Sequence, residues 1–150
     1  MILRMDERDR ELRNLTYRRF VELGRAPRLA ELAAEAGIEP AELAASWRRL
    51  HDEHALVLDP TGELRMAAPF SAVPTPHRVR TGGRSWFANC AWDAFGVCVA
   101  LGSDGEISSA CPDCGEPIEI AVRAGRAEPD EHVVHLLVPA GRWWHDIVFT

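Results

Sequence analysis

Three prolines within eight residues, Pro69, Pro74 and Pro76, divide this chain into halves that obey different hydrophobic periods. Proline fixes its own φ and pushes the preceding residue towards extended conformations. Pro69-Phe70-Ser71-Ala72-Val73-Pro74-Thr75-Pro76 therefore reads as a stiff, extended linker. Its apolar members, Phe70 and Val73, predict that it lies along the surface of the second unit. The expected units are residues 1–68 and 69–150, within the size range of one domain or two small units sharing a core.

Before the linker the apolar spacing is helical. Leu12, Leu15, Phe20 and Leu23 mark a first helix that Gly24 stops, and Leu29, Leu32, Ala33 and Ala36 mark a second that Gly37 closes. Pro40 suits a first helical turn, and Leu43, Trp47 and Leu50 line a third helix. Residues 55–58 and 63–66 flank Asp59-Pro60-Thr61-Gly62, a hairpin by its turn residues. Three helices and a hairpin resemble a winged helix. DNA binding would use residues 41–50, but that helix offers only Arg48 and Arg49, after Glu39 and Glu42. Residues 1–68 hold 11 Arg against 13 Asp and Glu, and the whole chain carries −6. Phosphate contacts supply most nucleic-acid affinity, so this balance argues against DNA binding and favours a structural cap packed on the second unit.

Beyond the linker the pattern turns to strands: 78–81 as a short edge strand, 107–109, 118–122, 132–138 and 147–149. One helix interrupts them, at Cys90–Phe95, inside Trp86-Phe87-Ala88-Asn89-Cys90-Ala91-Trp92-Asp93-Ala94-Phe95-Gly96. The fold class is thus α+β: a three-helix, winged-helix-like unit, then a mostly antiparallel sheet unit with one central helix.

That helix carries the chemistry. Residues three apart share a helical face, so Cys90 and Asp93 point into one pocket. A carboxylate amid Phe87, Trp92 and Phe95 is costly to desolvate unless it binds something or reacts. With Asn89 as N-cap, free N–H groups at the helix start would favour the thiolate and lower the Cys90 pKa. The bland alternative is a buried cysteine beside an exposed first-turn aspartate. Cys98, between Val97 and Val99, reads as plain core.

Met1-Ile2-Leu3-Arg4-Met5-Asp6-Glu7 passes to charge at once and is no secretion signal, and no apolar run reaches membrane-span length. The expectation is a soluble, cytoplasmic protein. There the four cysteines stay reduced and read as ligands, nucleophiles or core. Cys111-Pro112-Asp113-Cys114-Gly115 has the form of half a zinc knuckle. A structural zinc takes four ligands and would have to recruit Cys90 or Cys98, since His132 and His135 fall on opposite faces of a strand, which argues against one. A redox pair usually opens a helix, and this one lies between strands.

Asn89-Cys90-Ala91-Trp92-Asp93, the segment from Cys111 to Pro117, and the run from His135 to Thr150 together resemble the alkylmercury (organomercurial) lyase family. The resemblance runs from about Met66 to the last residue. It implies that Cys90 binds mercury and Asp93 relays a proton to the departing carbon. Carbon–mercury bonds would then break by protonolysis, with Hg(II) as product and no cofactor required. The implied partners are a small organomercurial and thiols, with no nucleic acid, no membrane and no assigned oligomeric state. It also places a second mercury-binding cysteine in a strand after the one resembling 146–150, where this sequence stops. Truncation, a recoded stop codon or function without that residue all stay open, as does substitution by Cys111 or Cys114. The reading from another class is a non-catalytic thiolate protein that binds or senses metal, coupled to a winged helix.

Overall fold

The computed structural model describes residues 5–148. Three helices come first: α1 (Glu7–Leu23), α2 (Leu29–Ala36) and α3 (Pro40–Asp52). The Asp6 carboxylate accepts the Asp9 N–H at 2.7 Å and caps α1, while Gly24 and Gly37 end α1 and α2 in the left-handed conformation that glycine adopts without strain. Leu12, Phe20, Leu32, Leu43, Trp47 and Leu50 fill the space between them. The Trp47 indole N–H donates to Thr16 Oγ1 at 3.1 Å, so that ring is buried with its polar atom satisfied.

Asp9 is a buried carboxylate within this bundle. Arg49 Nε and Nη2 clasp it at 2.8 and 2.7 Å, and Ser46 donates to it at 2.6 Å. One of the two arginines considered for phosphate contacts is therefore committed to the bundle itself. The Arg49 guanidinium holds the Asp9 carboxyl below its usual value. A depressed carboxyl stabilises the fold fully above its unfolded pKa of about 3.9, and that contribution is lost as the pH falls through the folded value. Arg49→Met leaves the carboxylate buried with only Ser46. Thermal melts at pH 7 should show a loss of about 2 kcal/mol, narrowing as the pH falls below about 4.

The strands are β1 (Val57–Leu58), β2 (Leu64–Ala67), β3 (Phe70–Ser71), β4 (Arg78–Thr81), β5 (Arg84–Ala88), β6 (Gly105–Ala110), β7 (Pro117–Arg123) and β8 (Arg126–Glu128). They form one antiparallel sheet in the order β1-β2-β3-β5-β4-β6-β7-β8. Trp86, Val79, Ile107 and Ile120 lie side by side across β5, β4, β6 and β7 and are all buried. The opposite face of the same strands carries Arg78, Arg80, Ser108 and Glu119, as a one-sided antiparallel sheet should. Helix α4 (Ala91–Leu101) makes its strand contacts with β4, β5 and β6.

Four expectations change here. Residues 70–71 are not surface linker but strand: β3 pairs with both β2 and β5, and Phe70 is 1% exposed against Phe20 and Trp86. Strand β4 is internal rather than an edge, because β6 returns to its free side. The central helix continues past Phe95 to Leu101, taking in Cys98, which packs where a Cβ on Gly105 would come within 2.9 Å of its sulfur. Residues 132–138 form no strand. The chain runs irregularly to a 3₁₀ turn at Ala140–His145, Ile147 and Val148 lie in a turn, and Phe149 is outside the described residues. His132 and His135 therefore do not stand on opposite faces of a strand.

Candidate active site

Strand β5 delivers the chain to the site, and Thr75 Oγ1 braces its end by donating to the Ala88 carbonyl at 2.6 Å. Asn89 follows, then Cys90, which is itself the N-cap of α4 in extended conformation (φ −148°, ψ 179°). Its sulfur accepts the Asp93 N–H at 3.4 Å, and its carbonyl accepts the Ala94 N–H at 3.0 Å. The expected cap is thus displaced by one residue. Asn89 instead donates from Nδ2 to Asp93 Oδ2 at 3.1 Å, while its own Oδ1 is buried without a partner.

The cap geometry places the thiol and the carboxylate on the same first turn of α4, and both line one cavity. Burial pushes the Cys90 thiol up; the Asp93 N–H works against it, and the Asp93 charge reinforces it. The expected lowering of this thiol pKa is therefore reversed, because desolvation outweighs the helix N-terminus. Burial also pushes the Asp93 carboxyl up, opposed by hydrogen bonds from Asn89 and Cys90. Burial thus favours the protonated form of both groups.

The pair opens onto a cavity of about 180 Å³. The hairpin supplies one wall through Leu56, Val57 and Met66, and the C-terminal segment supplies another through Leu136, Trp143 and Trp144. Trp144 stacks on the His54 ring with centroids 4.0 Å apart, and His54 holds a left-handed φ of 62° to stand there. Of the aromatic residues expected around Asp93, Trp92 lines the cavity. Phe95 packs against the buried core, Phe87 lies under the Arg78 guanidinium, and neighbouring Trp86 is buried with its N–H on the Phe20 carbonyl. Sequence reasoning missed His54, Met66 and the tryptophan doublet as lining residues. The doublet was a visible signal; the hairpin's part depends on tertiary packing.

Cys90 also faces a second cavity, of about 500 Å³, shared with Cys111, His77 and His135. His77 donates to or accepts from Ser109 at 2.8 Å, and burial lowers its pKa. The turn at Cys111–Cys114 joins β6 to β7, with Cys111 partly buried and Cys114 exposed. The backbone N–H groups of Cys114 and Asp113, and then the Cys114 thiol, favour the Cys111 thiolate and lower its pKa. Among the described residues, no group of three His, Cys, Asp or Glu side chains is arranged to hold a metal ion.

A thiol and a carboxylate stand side by side at a helix start under an apolar roof, which is the pair of groups that covalent and proton-transfer chemistry draws on. Comparisons with known proteins place the chain in a family. The alkylmercury lyase family model matches residues 70–150, and the chain belongs to that family. It is 29% identical over 112 residues to the alkylmercury lyase of Staphylococcus epidermidis, covering 73% of this chain and 50% of that one. Against the alkylmercury lyase of Bacillus cereus the identity is 33% over 70 residues, covering 45% and 32%. The chain thus spans about half the length of the first of these relatives and less of the second. A crystal structure of the mercury-bound form of MerB2 superposes with a TM-score of 0.64 at 27% identity, covering 85% of this chain and 63% of that one. Among the described residues, no helix is long and apolar enough to cross a membrane.

Proposed function

We propose that this chain cleaves carbon–mercury bonds in small organomercurials by protonolysis, with Cys90 as the mercury-binding nucleophile and Asp93 as the proton carrier. The observation that carries this reading is that Cys90 and Asp93 share the first turn of α4, with the Asp93 N–H on the Cys90 sulfur at 3.4 Å, and line one apolar cavity together. Mercury(II) is soft and prefers thiolate sulfur. As R–Hg–X approaches, Asp93 takes the Cys90 proton, sulfur bonds to mercury and X⁻ leaves. Sulfur donation makes the carbon more basic. The neutral Asp93 carboxyl then protonates that carbon, the Hg–C bond breaks, and R–H departs. A thiolate from solution or from the chain takes the open position on mercury. Asp93 ends as it began with mercury still on Cys90; a second thiol then bonds to mercury, the Cys90–Hg bond breaks, and that thiol's proton returns to the Cys90 sulfur, so turnover balances without a cofactor.

Family membership and the apolar cavity support this reading over a non-catalytic metal sensor. The cavity's hydrocarbon walls suit a short alkyl or phenyl group, and a reducing cytoplasm would supply the thiols. We also read residues 1–68 as a winged-helix-like cap whose part is to wall the cavity, because Leu56, Val57 and Met66 line it. The direct test is incubation of the purified protein with phenylmercury and excess thiol. Catalytic release of benzene and Hg(II) is expected, and stoichiometric binding without benzene would replace the lyase reading with a mercury trap.

A further inference from the structure

The Cys111–Cys114 turn has no part in the cycle above, yet it is built around its sulfurs. It spans the end of a regular hairpin: the Cys111 N–H donates to the Glu116 carbonyl at 2.9 Å, and the Gly115 N–H donates to the Cys111 carbonyl at 2.9 Å. Gly115 closes the turn at φ 75°, a left-handed position that side chains other than Asn or Asp resist. Cys111 and Cys114 stand at the two ends of this four-residue turn, the Gly115 N–H closing it back onto the Cys111 carbonyl. Both sulfurs are accessible from outside the core, and Cys111 shares its cavity with Cys90.

We propose that Cys111 and Cys114 form a chelating dithiolate that takes Hg(II) from Cys90 across the cavity the two sites share. The inference rests on Cys90 holding mercury at the end of the lyase cycle. A structural zinc needs four ligands, and this turn offers two sulfurs. Mercury(II) is satisfied by two thiolates, which makes two donors on one tight turn a complete site for it. The exchange balances without redox change. Mercury held between Cys90 and an external thiolate meets two thiols. Two new S–Hg bonds form at Cys111 and Cys114, two break, and the two protons pass to Cys90 and to the departing thiol. Cys90 returns to its starting state. Exposure of Cys114 places the ion where an external thiol acceptor reaches it.

The two donors sit on one turn, so the second bond forms intramolecularly and the pair should resist monothiol competition far better than a single cysteine. The experiment adds mercuric chloride in equimolar amount to the reduced full chain with glutathione present. Native alkylation with iodoacetamide and peptide mass spectrometry come next, with a mercury-free control. Protection of Cys111 and Cys114 with Cys90 left reactive is the expected result. Protection of Cys90, alone or with one of the pair, overturns the proposal. In Cys111→Ser and Cys114→Ser, the glutathione concentration that removes half the mercury should fall by about 10²-fold or more; no fall in either variant equally overturns it. The wild-type protection pattern stands even if a variant misfolds. Mercury is supplied as the inorganic ion, so the readout is separate from carbon–mercury cleavage. Capture without benzene release would sink the lyase reading while leaving this site in place.

Discussion

Cys90→Ala is expected to reduce benzene release from phenylmercury to the rate seen without protein. The substitution removes the atom on which the substrate is held and the source of the proton in the same stroke. Losing a nucleophile that works as one unit with its partner costs about as much as losing the whole unit, on the order of 10⁴-fold or more. The fold should survive it. Cys90 caps α4 through a long S···H–N contact of 3.4 Å, and serine in its place would restore a stronger cap while still failing to grip a soft metal. Measuring Cys90→Ser beside Cys90→Ala therefore separates cap from chemistry. If the serine variant turns over and the alanine variant does not, sulfur is not the mercury ligand. If both turn over like wild type, the site lies elsewhere.

Asp93→Asn divides binding from bond cleavage. Binding asks only for sulfur, so the variant should take up phenylmercury in the same stoichiometry as wild type. Cleavage asks for a group that receives the thiol proton and gives it to carbon, and an amide cannot complete that cycle. Proton-transfer assistance of this kind is worth about 10²–10⁴-fold, so single-turnover benzene release should fall by at least the lower figure. Electrostatics supplies a second readout. The Asp93 charge adds to burial in raising the Cys90 thiol, so removing it should move the pH midpoint of Cys90 alkylation downward. It should not bring the midpoint back to that of an ordinary cysteine, because burial is the larger cause and remains. An unchanged cleavage rate would reduce the carboxylate to a helix-capping role and leave the proton source to be found.

The helices were legible in sequence because their stops are chemical. Gly24 and Gly37 end the first two where the apolar period ends, and Pro40 begins the third. The α+β class was legible too, as were strands at 107–109 and 118–122 on either side of Cys111–Cys114; the fold extends them to 105–110 and 117–123 and pairs them. Phe70 was not. Its neighbours are prolines and small residues, and only the free edges of β2 and β5 on either side make residues 70–71 a strand. Residues 132–138 misled in the opposite direction. Their valines and leucines have strand propensity, but no neighbouring strand pairs with them among the described residues, and propensity without a partner does not make a strand. At the site, the Cys90–Asp93 spacing foretold the contact. The direction of the thiol pKa depended on burial, and burial depends on Trp143, Trp144 and the hairpin far away in sequence.

Among the described residues, the two-residue strand at Phe70–Ser71 is the only ladder that connects the hairpin side of the sheet to the strand leading into α4. Cys90 and Asp93 sit on the first turn of that helix, while Leu56, Val57 and Met66 line the cavity from the far side of the short seam. Substitutions on the hairpin can enlarge or narrow the space for the hydrocarbon without moving sulfur or carboxylate. Selection can therefore act on what the protein accepts and on how it reacts as two separate traits.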